Sequence, residues 1–184
     1  LSDLKQSRTA LPRAPVSFCN SSGIFLCRDY QFYLGRPGVA LYGVNPTPAA
    51  PNPIRPVAVS RKILQIRAID APQTVGYGAT HRATGPARIA TLAAGYADGY
   101  LRSLSSRGHA WVAGHRVPVV GRVSMDLLAL DVTEVPPKAV CPGDWAELIN
   151  AEQTVDVLAE EAGTIGYEIL TSLGARYHRV YVGS

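Results

Sequence analysis

The chain has 184 residues, 47% hydrophobic and 17% charged, which suits one folded core with a small appendage and excludes extensive disorder. Its net charge of +4 is scattered from Arg8 to Arg179 with no lysine- or arginine-rich run, so nucleic acid is not an expected partner. No apolar run approaches the roughly 20 residues of a membrane span, so no membrane partner is expected either. No basic and apolar succession marks a secretory signal. Cys19, Cys27 and Cys141 are odd in number and form no CxxC pair. They predict neither a disulfide framework nor a metal site, and they fit a reducing cytoplasm. Leu1 opens the chain and Met125 is its one methionine, so the start reads as a cut end.

Residues 1–11 carry Leu1, Leu4 and Leu11 among polar residues, and Pro12 closes them, which reads as the tail of a helix. Pro15 to Cys19 is a short apolar run that stops at the turn-rich Asn20-Ser21-Ser22-Gly23. A second run, Gly38 to Tyr42, follows Gly35-Arg36-Pro37. Pro46, Pro48, Pro51, Pro53 and Pro56 then favour extended backbone, a linker over 46–56. Beyond it the pattern turns β. Val57 to Ala68 predicts a long strand, and 87–94, 110–113, 127–132 and 145–149 predict shorter ones. Gly114-His115 predicts a two-residue turn into a return strand over 116–120, with Pro118 at an edge or bulge. Thr154 can cap a helix over 155–162 ended by Gly163, and Thr164 one over 165–173 ended by Gly174. Arg176 to Val182 is expected to return as a final strand.

Three motifs carry the chemistry: Gly76-Tyr77-Gly78-Ala79-Thr80, Gly95-Tyr96-Ala97-Asp98-Gly99 and Gly121-Arg122-Val123-Ser124-Met125-Asp126. Glycine on both sides of Tyr77 allows close backbone approach and a fixed direction for the phenol. A free phenol ionises near pH ~10, so it needs a perturbing setting to exchange protons near neutrality. Alone, each motif is unspecific: a tyrosine beside glycine is usually a turn residue, and a lone Met fills a core gap. In this order and spacing the three resemble the C-terminal half of alanine racemase, the pyridoxal-phosphate (PLP) family that interconverts L- and D-alanine.

The resemblance implies that Tyr77 is one of two bases, exchanging the substrate α-proton on one face while a lysine serves the other. Racemisation requires this, because a planar carbanion loses its hand only if protons arrive from both sides. By the same resemblance the Tyr96 hydroxyl and the Met125 backbone N–H contact the substrate carboxylate. Asp98, Arg102, Arg122 and Asp126, within or beside these motifs, are expected to line the access channel and hold the loops. The resemblance also implies that Ser21, Gly38, Val39 and Tyr177 hold the PLP phosphate and that Arg36 faces the pyridine nitrogen. His81 stands where many relatives in that family carry an aromatic residue and is read as an exposed polar neighbour rather than a ring substitute, and His109, His115 and His178 as solvent-facing or hydrogen-bonding groups.

The implied fold is mainly β: a C-terminal β-barrel-like domain with two short helices over 57–184, preceded by the last strand and helix elements of an incomplete (β/α)8 barrel over 1–45. Such a barrel needs about 200 residues or more, so an N-terminal barrel segment is expected as a partner. The segment 1–45 is therefore expected to expose strand edges and apolar faces. Lys5, Lys62 and Lys138 do not fit the cofactor-binding lysine, and the chain alone is expected to be inactive. The family implies a head-to-tail homodimer with a shared site. The alternatives are a racemase of broader range and a stand-alone β-barrel module that stacks a ligand or nucleic-acid strand on Tyr77 and Tyr96.

Overall fold

The computed structural model describes residues 1–182 except 49, 50, 55 and 71. Three linker positions and the last two residues of the expected C-terminal domain (183 and 184) thus lie outside the described residues. The chain divides into two units, Leu1–Pro56 and Val57–Ser184.

In the first unit, helix α1 spans Ser2–Thr9 and buries no residue. Strand β1 (Ser17–Asn20) leads directly into the short helix α2 (Ser21–Leu26), which the Asn20 side chain caps by accepting from the Gly23 N–H at 3.1 Å. Strand β2 (Leu34–Arg36) lies parallel to β1. The apolar run at 38–42 is no strand but a 3-10 turn over Val39–Tyr42, with Val39 and Ala40 buried. Among the described residues this two-stranded sheet keeps one open edge on each strand, and Phe18, Leu34, Leu41 and Tyr42 stay exposed.

The second unit is a closed antiparallel barrel. Its strands are β3 (Val59–Ile69), β6 (Ala87–Leu92), β7 (His109–Val112), β8 (His115–Val120), β9 (Leu128–Asp131) and β10 (Trp145–Ile149), in the order β10-β3-β6-β9-β8-β7. Alternation decides which side chains fill it: Ala110 and Val112, Val117 and Val119, Leu128 and Leu130, Ala146 and Leu148 point in and are almost fully buried. The remaining pair, β4 (Gln73–Val75) and β5 (His81–Ala83), forms a hairpin outside the barrel. Its Ala83 and Val75 pack with Ile69, Ile89 and Val120 in an apolar patch.

Three local expectations need correction. The β7–β8 turn is Ala113-Gly114, both at positive φ, not Gly114-His115; a hairpin turn of this hand needs φ > 0 at both central residues, and His115 already pairs with Val112. Helix α3 (Val155–Ala162) has the expected Thr154 cap and left-handed Gly163, but α4 runs over Gly166–Ser172 without a side-chain cap. Thr164 is already committed: its N–H closes the end of α3 on the Ala159 carbonyl at 2.9 Å, and its hydroxyl bonds Glu168. Residues 176–182 form no strand, because β10 already pairs with both β3 and β7 and the closed barrel offers no edge. Pro118 lies one residue outside the β8–β9 ladder, so its missing N–H costs no bond there.

Candidate active site

Tyr77 opens the 3-10 turn Tyr77–Ala79 between β4 and β5, and it is 74% exposed. Gly76 before it has φ 78° and ψ 178°, a backbone shape that only glycine adopts readily. A Cβ on Gly78 would meet the Arg122 guanidinium at 3.1 Å, and one on Gly121 the Val75 carbonyl at 2.7 Å. The first and third motifs therefore lie backbone against backbone, and Arg122 lies across the turn that presents the phenol. Tyr77 and Arg122 both line a cleft of about 320 Å³ on the outer face of β3, β6 and β9.

The second and third motifs are joined by hydrogen bonds. The Tyr96 N–H donates to the Ser124 carbonyl and the Ala97 N–H to the Met125 carbonyl, both at 3.0 Å. This closeness demands glycine at 95, since a Cβ there would fall 2.3 Å from both carbonyl oxygens. The 3-10 turn Tyr96–Asp98 leaves the Tyr96 ring half exposed. Met125 is likewise half exposed, and its N–H has no partner among the described residues although its carbonyl does. That amide is a donor available to an anion.

Asp98, expected beside a channel, is instead fully buried, because the protein supplies all its partners. One oxygen accepts from the Gly95 N–H at 3.1 Å; the other meets Arg61 at 2.7 Å and Arg176 at 3.2 Å. Arg176 also bonds Asp126, so a single guanidinium ties the Tyr96 loop to the Met125 loop. The Arg176 guanidinium is held above its ordinary value, first by that hydrogen bond to Asp126 and then by Asp98. Arg102 is exposed in the next 3-10 turn, Arg102–Leu104.

Tyr177 stacks under Arg61, whose guanidinium carbon is 4.1 Å from the ring centroid. Burial pushes its phenol above the ordinary value, and Arg61 opposes that shift. Tyr177 belongs to the barrel unit, whereas Ser21, Arg36, Gly38 and Val39 belong to the first. There, the buried Ser21 hydroxyl accepts from the Gly38 N–H at 2.9 Å and the Ala40 N–H at 3.4 Å, leaving its own proton to donate. The Val39 N–H has no acceptor among the described residues, and a Cβ on Gly38 would meet open space. Arg36 donates to the Ser17 hydroxyl and the Phe18 carbonyl.

Among the histidines, His81 is half-buried on β5, while His115 and His178 are exposed. His109 bonds Glu161 at 2.7 Å. Sequence reasoning missed Arg176, which joins the second and third motifs, Arg61, which pairs with the buried Asp98, and Arg67, which shares the Tyr77 cleft. No motif marks these arginines; only the fold brings them to the site. Among the described residues no helix is long and apolar enough to cross a membrane.

The family model described as "Alanine racemase, C-terminal domain" matches residues 57–181. The chain is 49% identical over 183 residues to "Alanine racemase, catabolic" of Agrobacterium fabrum, covering 99% of this chain and 47% of that protein. It is 56% identical over 170 residues to "Alanine racemase" of Acidiphilium cryptum, covering 92% and 47%. Among solved structures it resembles alanine racemase from Bartonella henselae with covalently bound pyridoxal phosphate, with a TM-score of 0.88 at 43% identity, covering 98% of this chain and 50% of that one. The biosynthetic alanine racemase of Pseudomonas aeruginosa gives 0.85 at 35%, covering 96% and 50%. The chain spans about half the length of the relatives it matches.

Proposed function

Because the chain belongs to the alanine racemase family, through its C-terminal domain, we propose that it supplies that part of an enzyme interconverting L- and D-alanine. In this reading residues 1–45 are the last elements of a PLP-binding (β/α)8 barrel, 46–56 a linker and 57–184 the domain that carries one catalytic base. The observation that carries it is the presentation of Tyr77: an exposed phenol on a turn pinned by Gly76 and Arg122, at the mouth of a cleft.

The first unit fits a phosphate. The buried Ser21 retains a hydroxyl proton, Val39 retains an N–H, and Gly38 leaves space in front of them. Tyr177 is the further phosphate contact in this reading, and Arg36 would face the pyridine nitrogen with a charge that never protonates it. When bound, PLP supplies the electron-withdrawing ring that acidifies the substrate Cα–H. Tyr77 then moves the proton at that carbon on one face. A lysine outside this chain serves the other face in this reading, because Lys5, Lys62 and Lys138 do not resemble the family's cofactor-binding lysine. The Tyr96 hydroxyl and the unspent Met125 N–H hold the substrate carboxylate, so that Cα lies against Tyr77. Asp98, Arg176 and Asp126 keep those two loops in register. Arg102 and Arg122 border the approach to the site.

The assembly in this reading is a head-to-tail homodimer, in which Tyr77, Tyr96 and Met125 of one subunit serve the site holding Ser21, Arg36 and Gly38 of its partner. Its place is the cytoplasm, and its product D-alanine serves peptidoglycan synthesis. The test is proton exchange. In the full-length enzyme Tyr77→Phe should lower racemisation by about 10²–10⁴-fold, while solvent deuterium still enters the Cα of one enantiomer only. Near-normal racemisation by that variant, or any by residues 1–184 alone, would refute the assignment.

A further inference from the structure

The loop that carries Arg122 is held by two serines of a neighbouring turn, and neither belongs to the three glycine-framed motifs. Strand β8 ends at Val120 and β9 begins at Leu128, so residues 121–127 lie outside both strands. Their backbone groups must find partners elsewhere. The N–H of the buried Val123 donates to the Ser105 hydroxyl at 3.0 Å, and that hydroxyl donates its own proton to the Arg102 carbonyl at 2.6 Å. The Ser106 hydroxyl donates to the Gly121 carbonyl at 3.3 Å. The carbonyl before Arg122 and the amide after it are thus each tied to a serine side chain.

The serines are themselves anchored. Ser105 closes the 3-10 turn Arg102–Leu104, its N–H donating to the Arg102 carbonyl at 3.1 Å. Leu104 is fully buried, and its carbonyl accepts the Arg107 N–H at 3.1 Å and the Gly108 N–H at 2.9 Å. Ser106 has φ 53°, a backbone shape that a residue with a side chain adopts only at a cost. Such strain persists where the surroundings demand one direction, here that of the hydroxyl toward Gly121.

What the serines hold faces the Tyr77 turn. The Arg122 nitrogen lies 3.3 Å from where a Cβ on Gly76 would stand, and the Arg122 guanidinium 3.1 Å from the same point on Gly78. A shift of a few tenths of an ångström in residues 121–123 therefore reaches both neighbours of Tyr77. The turn has little support of its own: its closing bond, from the Ala79 N–H to the Gly76 carbonyl, is long at 3.4 Å.

We propose that Ser105 and Ser106 are positioning residues for the Tyr77 phenol, acting through the Gly121 to Val123 backbone and the Arg122 side chain. The proposal rests on the reading of Tyr77 as the base on one face of the substrate. The serines reach neither substrate nor phenol; they fix where the phenol stands, and misplacing a reacting group costs rate steeply.

The experiment uses the full-length holoenzyme and follows entry of solvent deuterium at Cα of each enantiomer separately. In Ser105→Ala and Ser106→Gly the enantiomer whose proton Tyr77 moves should exchange about 10- to 10²-fold more slowly, while the enantiomer served by the lysine keeps its rate. Ser106→Gly also relieves the positive φ, so it removes the hydrogen bond without adding strain. In a Tyr77→Phe background neither serine variant should slow the enzyme further. Ser103→Ala, an exposed serine of the same turn, should match the wild type. Apart from activity, amide exchange at Val123 should quicken in Ser105→Ala. Equal slowing of both enantiomers, further loss in the Tyr77→Phe background, wild-type deuterium entry in both serine variants, or unchanged Val123 exchange would each overturn the proposal. Near-normal racemisation by Tyr77→Phe alone would remove the reading beneath it; loss of activity there beside wild-type serine variants would strike the proposal only.

Discussion

Replacing Asp98 by Asn removes one negative charge from a place that water does not reach, and the consequence follows from its partners. Arg61, only 16% exposed, has Asp98 at 2.7 Å as its one strong partner. Its Nε is buried without an acceptor, and its other bond, to the Arg176 carbonyl, is long at 3.4 Å. Asparagine is neutral, so Arg61 would keep its charge in a partly dry site with no opposite charge beside it and only the Tyr177 ring face against it. Breaking a buried ion pair from one side costs about 3–5 kcal/mol. With a urea dependence of about 2 kcal/mol per M, the midpoint should fall by about 1.5–2.5 M. Trp111 and Trp145, the chain's two tryptophans, both lie on barrel strands, so tryptophan fluorescence reports the barrel alone. Arg176 is half exposed, and Arg176→Ala should move the midpoint by a small fraction of that amount. In the double variant Arg61→Gln, Asp98→Asn the damage should be less than additive by about 1 kcal/mol or more. A midpoint shift under about 0.5 M for Asp98→Asn, or an equal effect of Arg176→Ala, would refute the reading of Asp98 as the anchor of these loops.

Gly95→Ala places a methyl group 2.3 Å from the Ser124 and Met125 carbonyl oxygens, so it should cost about 1–3 kcal/mol or more. It should also speed hydrogen exchange at the Tyr96 and Ala97 amides; unchanged exchange there would contradict the close approach. The Tyr100 phenol is pushed far up, by burial first and then by Glu161 and Tyr177. A phenol whose folded value is raised contributes stability that is whole below its unfolded value near ~10 and lost as pH rises beyond it. Melting temperature followed from pH 8 to pH 11 should therefore fall in the alkaline range, and less so in Tyr100→Phe. A parallel fall in both proteins would exclude Tyr100 as a cause. The Cys141 thiol is raised by donating to Asp144 and by that carboxylate's charge. Asp144→Asn should thus shift the pH profile of Cys141 alkylation to lower pH, as read by mass mapping of iodoacetamide adducts.

Local patterns were legible wherever one short stretch contains the whole cause. Thr154 and Gly163 bound helix α3 as the sequence predicts, because a cap acts over three or four residues. The strand over 145–149 and the barrel spacing of the strands were equally readable. The β4–β5 hairpin escaped notice because its strands have three residues each and mostly polar side chains; it exists only because Ile69, Ile89 and Val120 need cover. The expected last strand failed for the converse reason: its composition is right for β structure, but no edge was left to receive it.

The three glycine-framed motifs determined by themselves the family and the chemistry expected of Tyr77, Tyr96 and Met125, because order and spacing along a chain need no coordinates to be read. Only the tertiary structure decided that Gly95 lies against Ser124 and Met125, that Asp98 is walled in, and that Arg61, Arg67 and Arg176 belong to the neighbourhood of these motifs. Those pairings join residues 29 to 115 positions apart, and closing the barrel is what brings them together. Burial and charge balance are properties of that closed surface, so no window of sequence carries them.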